Sequence, residues 1–168
     1  MFTRQEDDFH AWCLEQAQTL RRIASKVPSL DCRGIAEELE GMARSEQRTV
    51  QSFLELLLIH LLKWRYEPNR RSGSWRVSIQ NARSGIRDEL ADSPSLRVKL
   101  PLLIERGYER ARRSAGVEME LDEREWEKRS PQSCPWDFDQ LMSDFWPGPA
   151  ALNHDGRARN GRRTRMKK

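Results

Sequence analysis

Cysteine is scarce and scattered. Cys13, Cys32 and Cys134 are odd in number, and no two of them stand in a Cys-x-x-Cys spacing. That pattern excludes a disulfide framework and a zinc knuckle, and it suits a reducing compartment. The chain has three histidines and no paired-histidine metal motif, no glycine-rich phosphate loop and no nucleophile elbow. No catalytic residue, resident metal or cofactor is therefore expected. Residues 1–8 are polar and acidic, without the apolar core of a secretory signal, so the expected location is cytoplasmic. The most apolar stretch, residues 53–62, carries Glu55 and His60 and is too short to span a bilayer, so no membrane association is expected.

What is present is helical periodicity. A chain of 168 residues has room for one sizeable core. Charged residues make up 33% and hydrophobic ones 37%, a polar balance, but leucine-rich periodic segments and six tryptophans argue for a folded body. The expected fold is all-α: an up-and-down bundle of about four main helices, with a long central helix and a short C-terminal one. It would occupy residues 1–147 as a single domain, followed by a disordered basic tail over 148–168.

The central helix organises the rest. From Asp31, a plausible N-cap, to Glu67, where Pro68 disfavours further helix, residues 31–67 would run roughly 50 Å at 1.5 Å per residue. At about 100° per residue, Ile35, Leu39, Met42, Val50, Phe53, Leu57, Leu61 and Trp64 share one face, read here as the buried stripe. Ahead of it, a Thr3/Glu6 capping box opens a first helix through Phe9, Trp12, Cys13, Leu20, Ile23, Ala24 and Val27, ending near Pro28. Ser74 would cap a third helix with a stripe of Trp75, Ile79, Ala82, Ile86 and Leu90. A fourth follows from Leu96 to Gly116, with Pro101 kinking it or lying in its first turn. Residues 117–133 read as a charged, mobile connection with one short helix at most, anchored by Trp126. A last helix over residues 137–145 would clasp the bundle before Pro147.

Two residues interrupt the central stripe. Glu46 and His60 fall near its middle, fourteen positions and roughly 21 Å apart, so each needs its own partner. Arg83, beside the stripe of the third helix, is the first expected partner for Glu46, and His10, at the edge of the first helix, is the second. On that reading Glu46→Ala would break a buried ion pair and cost ~3–5 kcal/mol. The competing expectation is a metal-binding or metal-dependent hydrolytic bundle using inward-facing Glu and His, with Glu37, Glu38 or Glu40 joining Glu46.

Basic residues gather in two places. Between the second and third helices, Lys63, Arg65, Arg70, Arg71 and Arg76 alternate with Trp64, Tyr66 and Trp75, a composition suited to phosphate contact with stacking, or to a solvated turn whose aromatics end the core. At the C-terminus, Arg157, Arg159, Arg162, Arg163, Arg165, Lys167 and Lys168 are uninterrupted by acid. With these seven removed from a net +4, residues 1–155 carry a net −3, so the basic character belongs to the tail. The tail is expected to attract nucleic acid or to solubilise.

Several stretches, taken in order, match a known pattern. These are residues 8–12 followed by Gln16 and Leu20-Arg21; residues 35–40 with Ser45-Glu46; residues 60–64; Ser74-Trp75; residues 93–96; Tyr108 with Ala111-Arg112; and Cys134-Pro135 with residues 144–147. Across residues 5–147 the chain closely resembles the bacterial family called domain of unknown function 29 (DUF29). The resemblance implies an all-helical fold and a bacterial origin, and it brings no established activity. Members often carry tyrosine where this chain has His10. The expected function is a non-enzymatic protein-binding module, with nucleic acid as a secondary partner through the tail.

Overall fold

In a computed structural model of the chain, which describes residues 3–150, six α-helices and no strand are found among the described residues. They are α1 (Phe9–Ile23), α2 (Cys32–Tyr66), α3 (Gly73–Asp92), α4 (Leu100–Glu118), α5 (Glu123–Arg129) and α6 (Phe138–Met142). Two 3-10 turns, Pro68–Arg70 and Pro94–Lys99, precede α3 and α4. The fold is all-α and up-and-down, with a long central helix and a short C-terminal one. The expected tail falls largely on residues 151–168, which lie outside the described residues.

The central helix has the ends that the sequence marks. The Asp31 carboxylate accepts from the Gly34 amide at 3.0 Å, and the chain leaves the helix at Glu67 before Pro68. Which face is buried differs along its length. In the C-terminal half, Leu54, Leu57, Leu58, Leu61 and Leu62 are all fully covered. In the N-terminal half the covered residues are small: Cys32, Ala36 and Ala43. Ile35 and Met42, placed on the buried stripe by the wheel, are instead 40% and 49% exposed. The wheel favoured the larger side chains, but a helix packed closely against one neighbour is contacted through its small residues.

Three neighbours line α2 in a staggered way. α1 runs antiparallel along the N-terminal half, where Arg21 grips Glu40 with two bonds of 3.0 Å. α3 runs antiparallel along the C-terminal half: Lys63 lies over Trp75, Phe53 covers Gly85, and Ser93 reaches Glu46. A Cβ on Gly85 would stand 2.5 Å from the Phe53 ring, so any larger residue there requires that ring to move. α4 runs parallel to α2, from Lys99 beside Gln47 to Glu118 beside Lys63. The N-terminus of α1, the C-terminus of α3 and the start of α4 therefore meet at the middle of α2.

Local capping differs from the sequence reading at two helix starts. Asp8, not Thr3, caps α1 through the Ala11 amide, while Thr3 donates twice to Glu15. Ser72, not Ser74, caps α3. Pro101 lies in the first turn of α4, where its missing N–H costs nothing. The charged stretch after α4 holds α5, whose Trp126 indole donates to the Arg112 carbonyl at 2.7 Å across Gly116. The clasp is shorter than expected: α6 spans five residues behind an Asp137–Gln140 capping box.

Leu58 and Met42 separate the observed helical rotation from the wheel. Leu58→Ala should cost ~2–5 kcal/mol by emptying a packed site, whereas Met42→Ala should change stability by less than about 0.5 kcal/mol, both read from denaturant unfolding.

Candidate functional site

Where the three helix ends meet α2, one polar cluster fills the junction. Asp8 is held at the entrance of α1 by its own cap bond, and its other contacts go to the turn before α4. Its Oδ2 accepts from the Ser95 amide at 2.6 Å and its Oδ1 from the Ser95 hydroxyl at 2.9 Å. His10 is buried, its amide donating to Ser93 Oγ at 3.2 Å. Lys99 Nζ approaches His10 Nε2 at 3.1 Å and donates to Gln47 Oε1 at 3.0 Å. An ammonium has only donors, so Nε2 accepts and Nδ1 carries the proton. Nδ1 then donates to Ser95 Oγ at 3.0 Å, and that hydroxyl donates on to Asp8. The direction runs from cation to carboxylate through imidazole and hydroxyl. It is the reverse of a relay that activates a serine, because Nε2 is occupied and the serine proton points at the acid.

The polar residues singled out in the sequence are dispersed. Glu46 is half-buried and accepts one long bond, 3.3 Å, from Ser93 Oγ. Its expected partner Arg83 is 58 positions from the Leu141 carbonyl it actually bonds, through Nε at 2.8 Å, while its terminal nitrogen bonds the Phe145 carbonyl at 2.7 Å. Arg83 thus latches the clasp and does not pair with Glu46. A backbone acceptor carries no sequence signal, which is why the wheel could not find it. His60 is half-buried, with Nδ1 on the carbonyl of Leu56 at 3.0 Å. Among the described residues no group of three or more His, Cys, Asp or Glu is placed to hold a metal ion. Glu40 pairs with Arg21, and Glu37 and Glu38 face solvent.

The basic segment between α2 and α3 folds back on its own aromatics. Lys63 pairs with Glu118 at 2.6 Å and lies over Trp75. Arg71 donates to the Trp64 carbonyl at 2.9 Å and covers its ring, and Arg76 lies 5.8 Å from Trp64 and 5.7 Å from Trp146. Arg70 pairs with Glu67. The aromatic faces are thus taken by the chain's own cations and do not form an open stacking platform. Trp146 packs against Trp64 at a tilt of 49°, with ring centroids 4.6 Å apart, and the Ala150 amide donates to the Arg65 carbonyl, so the segment after α6 closes this end. The tail cations at 157–168 lie outside the described residues.

Two concavities flank this framework. One of about 420 Å³ beside the junction is lined by Gln5, Glu6, Phe9, Glu46 and Asp92. Burial first, then the charges of Glu46, Asp92 and Asp88, push the nearby Glu89 carboxyl up. The other, about 650 Å³, is a mostly apolar groove between the first turns of α4 and the segment before α6. Leu100, Pro101, Ile104, Trp136 and Phe138 line it with Leu102, which is 47% exposed, and its charged lining residues are Arg97, Glu105 and Asp137. Cys134 in its wall is an inert thiol, pushed up to about 11 by burial. None of these groove residues was singled out from the sequence as a site. Their apolar spacing reads as core until the clasp is seen to leave one side open.

A family model described as "Domain of unknown function DUF29" matches residues 5–146. A crystal structure of an alpha-helical protein of unknown function from Rhodospirillum rubrum is similar, with a TM-score of 0.63 and 21% identity, covering 86% of this chain and 92% of that one. That likeness concerns the fold. No curated protein matches the chain. No helix among the described residues is long and apolar enough to cross a membrane.

The junction titrates. Burial first, then the Lys99 ammonium, hold His10 below its ordinary 6.5 against a smaller opposing pull from Asp8. His60 is lowered too, by burial first. With folded values lowered, the unfolded chain takes up protons first as pH falls through about 6.5, so these groups subtract stability on acidification and leave it level above that value. His10→Gln should make the fall in stability between about pH 7 and 5 shallower than in the wild type; an identical slope in urea titrations at several pH values would contradict the assignment. Because Glu46 has one long bond and acidic neighbours, Glu46→Gln should change the unfolding free energy by less than about 1 kcal/mol, well short of the loss expected from a broken ion pair.

Proposed function

Because the chain belongs to the DUF29 family over residues 5–146, a family without a defined reaction, we propose from its own surface that it is a cytoplasmic, non-enzymatic protein-binding module. The observation that carries this reading is the apolar groove of Leu100, Pro101, Ile104, Trp136 and Phe138, with Leu102 exposed at its edge. Covering such a surface removes apolar area from water at roughly 25 cal/mol per Å². A short amphipathic helix of a partner fits it best: the apolar face would lie against the groove, and charged flanks of both signs would meet Glu105 and Asp137 on one hand and Arg97 on the other. The site is fixed before binding, since Leu100 and Ile104 stand on α4 and Trp136 is packed into the core. The cytoplasmic part of the reading is supported by three thiols that are all free.

A photo-reactive residue at position 102, in the full chain expressed in its own cells, should cross-link a discrete protein. Recovery of that protein should fall at least about ten-fold with Leu102→Asp and be unchanged with Met42→Asp, which alters an exposed apolar residue on the opposite half of α2. Equal recovery with Leu102→Asp, or no cross-linked protein, would overturn the proposal.

A further inference from the structure

The third helix ends against its own dipole. Glu89 and Asp92 stand in the last turn of α3, with Asp88 just before them, where the backbone presents its negative end, and that turn holds no basic residue. Arg87, the preceding cation, donates to Ser84 at 3.2 Å. Between this helix end and the middle of α2 lies the concavity of about 420 Å³ lined by Gln5, Glu6, Phe9, Glu46 and Asp92. Glu6 is paired with Arg4 at 3.0 Å, and Lys99 of the adjoining junction is turned to His10 and Gln47. Among the described residues no ion pair reaches Glu46, Asp88, Glu89 or Asp92. Two neighbours register the uncompensated charge. Burial first, then Glu46, push the Cys13 thiol up, and the Glu89 carboxyl is raised by burial and then by Glu46, Asp92 and Asp88.

Phe9 gives this concavity an aromatic wall. Its ring stacks on Trp12 with centroids 6.1 Å apart, and both residues are half-buried. At the other end of the molecule the faces of Trp75, Trp64 and Trp146 are taken by Lys63, Arg71 and Arg83. Among the described residues no cation lies over Phe9 or Trp12. A hollow that sets an uncovered ring beside the carboxylates of Glu46 and Asp92 fits a guanidinium, which stacks through its plane and bonds carboxylate through its edge.

The chain carries its own supply of that group. Residues 157–168 include five arginines, two lysines and no acid, against a net −3 for residues 1–155. The Ala150 amide is bound to the Arg65 carbonyl, and Arg65 stands 19 residues from Glu46 on α2, roughly 28 Å at 1.5 Å per residue. Arg162, Arg163 and Arg165 come 12 to 15 positions after Ala150, enough for roughly 40–50 Å of extended chain. That length spans the distance with slack. We propose that the concavity of Phe9, Glu46 and Asp92 is a receptor site for arginine, filled by the arginines at 162–165 of the same chain. Tethering sets their local concentration on the order of millimolar, which favours them over a separate cationic partner. A segment held in this way is withheld from other polyanions. The site is separate from the apolar groove and does not depend on it.

The test compares the Trp12 indole N–H signal in the full-length ¹⁵N-labelled chain and in a full-length variant, Arg162→Gln/Arg163→Gln/Arg165→Gln, which leaves every core residue in place. The signal should differ between the two, and dilution should not change the difference. Adding a synthetic peptide of residues 156–168 to the variant should return the signal to its wild-type position. That peptide should bind at least about ten-fold more weakly when Glu46→Gln and Asp92→Asn are also present. A peptide with lysine at positions 162, 163 and 165 keeps the charge but loses the planar fork, and should also bind more weakly. Identical Trp12 signals in the two full-length proteins would overturn the proposal. So would a difference lost on dilution, which assigns the site to another copy of the chain, or equal binding by the lysine peptide.

Discussion

The carboxylate of Asp8 holds the structure's middle together. It accepts from the Ala11 amide, which starts α1, and from the Ser95 amide, which lies in the turn that starts α4. Each helix start leaves amides without partners, and a single charged acceptor here satisfies two starts from distant parts of the sequence. The Ser95 hydroxyl, His10 and Lys99 complete the set, and Gln47 fastens it to α2. Without this junction, α1 would be a lone amphipathic helix lying on half of another. Isolated pairs of that length are marginal, so the burial of Cys13 and Ala17 against α2 depends on α1 being held at its N-terminal end.

The two halves of α2 solve different packing problems. The leucine-rich half is surrounded by α3, α4 and the clasp, so it reads as apolar on nearly every side and holds most of the core. The other half faces mainly α1 and is buried through Cys32, Ala36 and Ala43, where short side chains let two helices approach. Glu46 stands at the change from one regime to the other. Half-exposure there lets a carboxylate remain with one long hydrogen bond, which a site at the centre of a four-helix core would not allow.

Much of this was legible in the sequence, and the limits have physical causes. The length and ends of α2, the stripe of α3 and the clasp followed from periodicity, proline and capping chemistry. The rotation of the N-terminal half did not, because hydrophobicity ranks Ile35 and Met42 above Ala36 and Ala43, whereas close packing ranks them the other way. His10 and Arg83 were visible as polar residues next to apolar faces, but their partners were not. Ser95 and Lys99 are 85 and 89 positions from His10, and the acceptors of Arg83 are backbone carbonyls.

The latch on the clasp has a property that the central junction lacks. Arg83 bonds two amide carbonyls, and neither a guanidinium nor an amide changes charge in ordinary water. The junction contains a group that does, the imidazole of His10. Acid therefore acts on the junction through His10 and on the leucine-rich half through His60, but not on the Arg83 latch. The central helix thus carries a proton-sensitive imidazole against each of its halves, while the two bonds that close the clasp keep their charges whatever either imidazole does.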